Sequence, residues 1–293
     1  MRQLSILRPA IGIALAALAQ PLPAQVRWNA VDQALGRPGT TQPDGVRRYS
    51  FARSDLDVRL DGVAIKPALA LGSWLAFQPH GRDTVVMGDV VLTAEEVTPV
   101  ISALLDGGIQ VTALHNHLLR SSPATYYVHV RGEGDAPKLA ASLHAALARS
   151  RTPLGPPAPA GAASSDLNIA AIDGIMRRSG KANGTVYQFT VPRAEAIVEN
   201  GMALPASMGT ATAINFQPAG GGRAAVTGDF VLLGTEVDPV MKALRSGGIE
   251  ITALHSHMLG ESPRLYFMHF WGVGDPAKLA TGLRAALNRI NVR

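Results

Sequence analysis

The sequence predicts an α+β fold made by tandem duplication of one β-rich unit with two helices. Three observations predict it. The chain repeats itself: Gly88-Asp89-Val90-Val91-Leu92 answers Gly228-Asp229-Phe230-Val231-Leu232, and Thr112-Ala113-Leu114-His115 answers Thr252-Ala253-Leu254-His255. Short apolar runs and alternations bounded by turn residues read as strands in each copy. Two stretches per copy instead space their apolar residues as one face of a helix. A stretch rich in Pro, Gly and Ala, Thr152 to Gly161, separates the copies. Its composition reads as a linker. The repeat units are therefore expected at 26–150 and 166–293, with the linker at 151–165.

Taken in order, Asp57 to Leu60 and Val63 to Ile65 flank Asp61-Gly62. Asp-Gly tolerates the positive φ of a type I′ turn, so this is a hairpin. Asn200-Gly201 holds the matching place in the second unit. Trp74 to Phe77 and Val85 to Leu92 read as further strands. Thr98-Pro99 and Asp238-Pro239 read as N-cap and first helical residue. Val100, Ile101, Leu104 and Leu105 then make an apolar helix face, and Gly107 stops it. Strands from Ile109 to His117 and from Thr125 to Arg131 follow. A last helix is expected from Asp135 to Arg149, with Leu139, Leu143 and Leu147 on one side. The turns Gly132-x-Gly134-Asp135 and Gly272-x-Gly274-Asp275 read as glycine turns with an Asp N-cap. The β-α-β-β-α segment of each unit resembles part of a ferredoxin-like sandwich.

Of the 293 residues, 47% are hydrophobic, enough for two cores. Residues 1–24 read as a signal peptide: Arg2 and Arg8, an apolar stretch from Ala10 to Ala19, and a cleavage site at Leu22-Pro23-Ala24. That predicts a periplasmic or secreted protein. No later segment has the roughly 18 unbroken apolar residues of a membrane span. The absence of cysteine excludes disulfides, thiolate metal sites and a lipid-modified N-terminus. The formal charge is +5, of which Arg2 and Arg8 supply two, leaving 5 − 2 = +3. The basic residues are scattered, so no nucleic-acid partner is expected. Weak attraction to anionic envelope polymers is compatible with this charge.

Six of the eight histidines lie in two matching clusters: His115, His117 and His129, then His255, His257 and His269. Imidazole is the commonest protein metal ligand. Alternate strand residues share a face, so His115 and His117 point the same way. If the hairpin is centred on Pro123, His117 lies opposite His129 and His115 is its diagonal neighbour. Three converging neutral imidazoles suit a divalent transition metal: zinc first, with copper, nickel or iron also suitable. A metal-free acid/base site and histidines that only cap a buried sheet remain open at this level. Glu261 has no counterpart in unit one, where Ser121 stands. The same register places Arg131 opposite His115 and Trp271 opposite His255. These differences predict that the second triad is the competent site. Should the protein be a zinc-type hydrolase, Glu261 is the candidate general base.

The blocks Thr252-Ala253-Leu254-His255-Ser256-His257-Met258-Leu259, Ser262 to Gly272, and Gly274-Asp275 resemble the LppY/LpqO family of bacterial envelope proteins. The resemblance covers both units. It implies export and a duplicated domain of unknown function, with no established activity to carry over. The namesakes are lipoproteins, which need an N-terminal cysteine. Its absence here implies release rather than lipid anchoring.

Overall fold

In the computed structural model, residues 26–156 and 166–293 are described. The expected signal peptide and most of the linker lie outside them. The start of the expected linker is held to the first unit: the Arg37 guanidinium donates to the Pro153 carbonyl at 2.9 Å and to the Gly155 carbonyl at 2.5 Å.

Each unit forms a six-stranded sheet. The central strand of the first is Asp83–Leu92, antiparallel to Gly72–His80 on one side and to Tyr126–Gly134 on the other. Gln110–His115 completes that edge. The second unit repeats the order with Arg223–Leu232 at its centre, between Ala211–Gly220 and Tyr266–Gly274. Glu250–His255 is the matching edge strand.

Strand period explains the layers. Val86, Val90 and Leu92 point to one side and pack with Leu104, Leu139 and Leu143 of the helices Ala94–Asp106 and Ala136–Leu147. Val85, Met87, Asp89 and Val91 point to the other side, toward the second unit. Val85 and Met87 pack there against Ile197, Met202, Leu204 and Met208. The second unit returns the contact: its Ala225 and Trp271 pack against Val63, Ile65 and Leu69 of the first. The order of layers is helices, sheet, sheet, helices, with each unit's hairpin reaching across to the other's sheet. The Asp-Gly and Asn-Gly turns build those hairpins. Asp61 and Gly62 have φ of 47° and 79°, and Asn200 and Gly201 have 49° and 81°.

Two local expectations need correction. The helix Ala94–Asp106 starts a turn earlier than Thr98-Pro99 suggested, and Pro99 lies inside it. Thr93 is the N-cap, and Glu96 Oε2 accepts from the Thr93 backbone N–H at 2.9 Å. A capping box outweighs the proline, which so near the start costs one helix hydrogen bond. Likewise the helix Gly234–Ser246 starts before Asp238-Pro239 and holds Pro239 inside it, with Glu236 Oε2 accepting from the Leu233 backbone N–H at 2.7 Å. In contrast, Asp135 and Asp275 are N-caps as expected, accepting from Lys138 and Lys278.

Candidate metal centre

The hairpin register also differs from expectation. His115 faces Tyr127, and Ala113 faces His129. The turn is thus centred on residue 121, midway between 115 and 127, and not on Pro123. The ladder ends at His115, so His117 stands in the connecting loop. Arg131 faces Gln110 rather than His115, and Trp271 faces Glu250 rather than His255. Arg131 pairs with Glu133 at 2.8 Å and Glu199 at 3.4 Å. Trp271 is buried between the units, and its Nε1 donates to Asp61 Oδ2 at 2.9 Å.

The two triads are not separate. The sheets face each other, and the triads meet between them. His115 meets His255 with ring centroids 3.6 Å apart and the rings tilted by 34°. His117 stacks on His269 at 3.7 Å, and His129 on His257 at 3.6 Å. These pairings obey a pseudo-twofold axis. Adding 140 turns His117 into His257 and His129 into His269, so the second and third pairs exchange and the first maps onto itself. The duplication has made an internal dimer with an isologous contact. The Thr252 hydroxyl adds a bond across it, to the His117 carbonyl at 2.6 Å.

Two sets of ligand atoms each lie within 4.8 Å of one another: His115, His255, His257 and His269, and then His115, His117 and His129. The larger set draws on both units. The Nε2 atoms of His115 and His117 are 3.0 Å apart. His269 Nδ1 donates to the Gly228 carbonyl at 3.1 Å. That bond leaves its Nε2 as the free lone pair, the usual arrangement behind a metal-ligating histidine.

Burial controls the charge. His129, His257 and His269 are buried, whereas His115 and His255 are half-buried and form the more open side. Burial pushes His115 down to about 3, with the neighbouring His255 adding to the effect. It pushes His255 down to about 4. Burial first, then the surrounding imidazoles, hold His117, His129, His257 and His269 well below the ordinary value. Neutral imidazole is the ligand form.

The sequence reading missed two residues. Asp89 lies across from His129, and Asp229 across from His269. Asp89 Oδ2 is 3.9 Å from His117 Nε2, and its Oδ1 is 3.8 Å from His129 Nε2. Asp229 instead accepts from the Ala213 backbone N–H at 3.3 Å. Burial raises Asp89 well above the usual carboxylate range and Asp229 to about 7. The signal was present: each Asp interrupts an otherwise apolar strand, at the same place in both repeats. The preceding glycines allow the close approach. A Cβ on Gly88 would meet the Trp74 carbonyl oxygen at 2.6 Å, and one on Gly228 would meet that of Ala213 at 1.9 Å.

Glu261 lies elsewhere. It pairs with Glu199 in a small separate sheet. Its Oε1 accepts from the Leu265 backbone N–H at 2.9 Å, and both oxygens accept from Arg264. This placement braces the loop between the two histidine strands. It does not support the general-base role, because the carboxylate is committed to that loop. Glu261 therefore gives no ground for preferring the second triad, although the four-histidine set contains all three of that triad's residues.

A cavity of about 10 Å³ adjoins the buried pair, lined by His129, His257, Thr112, Met87 and Trp74. That is about the space of one water molecule. Among the described residues, no helix is long and apolar enough to cross a membrane.

Comparison with solved structures finds low likeness. A trimeric bacterial microcompartment shell protein, PduB, is 12% identical over 84% of this chain and 86% of its own, with a TM-score of 0.21. EtuB from Clostridium kluyveri is 9% identical over 85% of this chain and 90% of its own, with a TM-score of 0.20. Neither carries an argument about this protein. No curated protein matches the chain. A family model does match, over residues 29–149 and again over 170–289, which are the two units seen in the fold. The chain belongs to the family described as Domain of Unknown Function (DUF1259), and carries that domain twice.

Proposed function

We propose that this protein binds a divalent transition metal, zinc first among the candidates, in a single centre shared by its two repeats. The observation that carries this reading is a concentration of unpaired ligand atoms. His115 Nδ1 and the Nε2 atoms of His129, His255, His257 and His269 are buried without a hydrogen-bond partner. Each such atom costs about 1–3 kcal/mol. Histidines that merely capped a sheet would have their nitrogens paired. Five unpaired ones in one cluster between the sheets fit a ligand that takes lone pairs.

The all-nitrogen donor set suits zinc, copper or nickel. The cavity of about 10 Å³ beside His129 and His257 admits a water. Binding is favoured over hydrolysis because Glu261, the candidate general base, is committed to its loop. The ferredoxin-like reading of each unit draws support from its antiparallel order, in which the strand Tyr126–Gly134 lies between Asp83–Leu92 and Gln110–His115. Export to the periplasm or medium rests on residues 1–24 and on the LppY/LpqO resemblance.

The test is metal content. Protein stripped with a chelator, dialysed against zinc and passed through a desalting column should retain at least one zinc per chain by mass spectrometry. The triple variant His255→Gln, His257→Gln, His269→Gln should lose the ion of the four-histidine set. Retention of less than a tenth of an equivalent by the native chain overturns the reading and leaves a structural envelope module.

A further inference from the structure

The six histidines offer more ligands than one four-coordinate ion uses. The four-histidine set takes His115, His255, His257 and His269. His117 and His129 are left over, and they are the two imidazoles that Asp89 faces. The Asp89 carboxylate is 6% exposed as a residue, and its Oδ1 has no hydrogen-bond partner. It is directed at His129 Nε2 at 3.8 Å and His117 Nε2 at 3.9 Å. His129 Nε2 is itself unpaired. An unpaired buried carboxylate facing an unpaired buried imidazole is doubly costly without a shared partner.

We propose that the centre is dinuclear, with a second divalent metal held by His117, His129 and Asp89. This rests on the reading of the cluster as a metal centre. The two positions differ in chemistry. The first is all imidazole. The second is two imidazoles and a carboxylate, the donor set that suits iron(II) or manganese as well as zinc. Ligand atoms of one ion stand about 3 Å apart, so a small swing of the Asp89 side chain closes the set. The pseudo-twofold does not produce a third position, because Asp229 spends its carboxylate on the Ala213 backbone. No ion pair within 4.0 Å joins Asp229 to a histidine among the described residues. The duplicated aspartates have diverged in what they face.

Titration of the chelator-stripped full-length chain with cobalt(II), followed by its visible absorption, separates the possibilities. Two equivalents per chain are expected, entering in two steps with different spectra. Asp89→Asn should remove the second step and leave one equivalent, while Asp229→Asn keeps both. Saturation of the native chain at one equivalent overturns the dinuclear proposal and leaves the shared centre intact. No uptake at all overturns both. The native stoichiometry decides even where Asp89→Asn fails to fold. Two equivalents retained by a folded Asp89→Asn chain would show that Asp89 holds no ion, and would also overturn the proposal.

Discussion

The imidazoles of His115 and His255, 140 residues apart in the chain, meet with their centroids 3.6 Å apart on the pseudo-twofold axis. A residue is thereby set against its own duplicate. The relationship makes the centre a property of the pair of units and of neither alone.

The first prediction follows from that pooling. His115→Gln, in the first unit, should weaken zinc binding at the four-histidine position although its other three ligands lie in the second unit. The expected loss is at least about 100-fold, since even outer partners of a metal site are worth about 10–100-fold. Competition against a fluorescent zinc chelator measures it. An unchanged affinity would mean that each triad acts alone.

Glu261→Gln should leave zinc affinity and stoichiometry unchanged while lowering stability. Its carboxylate is 5% exposed and holds the Leu265 backbone N–H and Arg264. Removing a hydrogen-bonded charge of this kind costs about 1–3 kcal/mol. Urea unfolding and zinc titration of the same sample read the two effects separately.

Stability of the metal-free protein should fall on acidification below about pH 6.5. The six histidines are held below their unfolded value, so the unfolded chain takes up more protons in that range and gains stability from them. Asp89 and Asp229 act in the opposite direction. Their folded values are raised, so the native state holds the extra proton between about pH 4 and, for Asp229, about 7. Six groups outweigh two. Each net proton contributes about 1.4 kcal/mol per pH unit. Urea midpoints at pH 7 and pH 5 should differ with the lower value at pH 5. Equal midpoints would contradict the burial of neutral imidazoles.

The buried ion clusters of the two units should be equally important. Arg53 bonds Glu96 at 2.7 Å, Asp55 at 2.8 Å and the Val91 carbonyl at 2.7 Å. Arg193 repeats this with Glu236, Glu195 and the Val231 carbonyl. Breaking such a pair strands a buried charge and costs about 3–5 kcal/mol. Arg53→Met and Arg193→Met should therefore each lower the unfolding free energy by a similar amount, read by urea denaturation.

Much of this fold was legible because strands have period two. The register assumed around Pro123 misplaces the turn by two residues, yet an even shift leaves His115 and His129 on the same face. The cluster survives the error. What the register assigned to its neighbours does not, so Arg131 and Trp271 were set beside histidines that they do not face. The helix start was legible in Thr93 and Glu96, but Pro99 was the louder signal. Asp89 and Asp229 were visible as acids in apolar strands, though their partners depend on cross-strand geometry. The meeting of the two triads was not legible. It depends on how two sheets dock, and repeat spacing does not encode that.

The most direct test of the shared centre is anomalous diffraction at the zinc edge from a crystal of the zinc-loaded protein. The account predicts a peak about 2.1 Å from nitrogens of His115, His255, His257 and His269, with ligands drawn from both repeats. The absence of any peak whose ligands come from both repeats would contradict it.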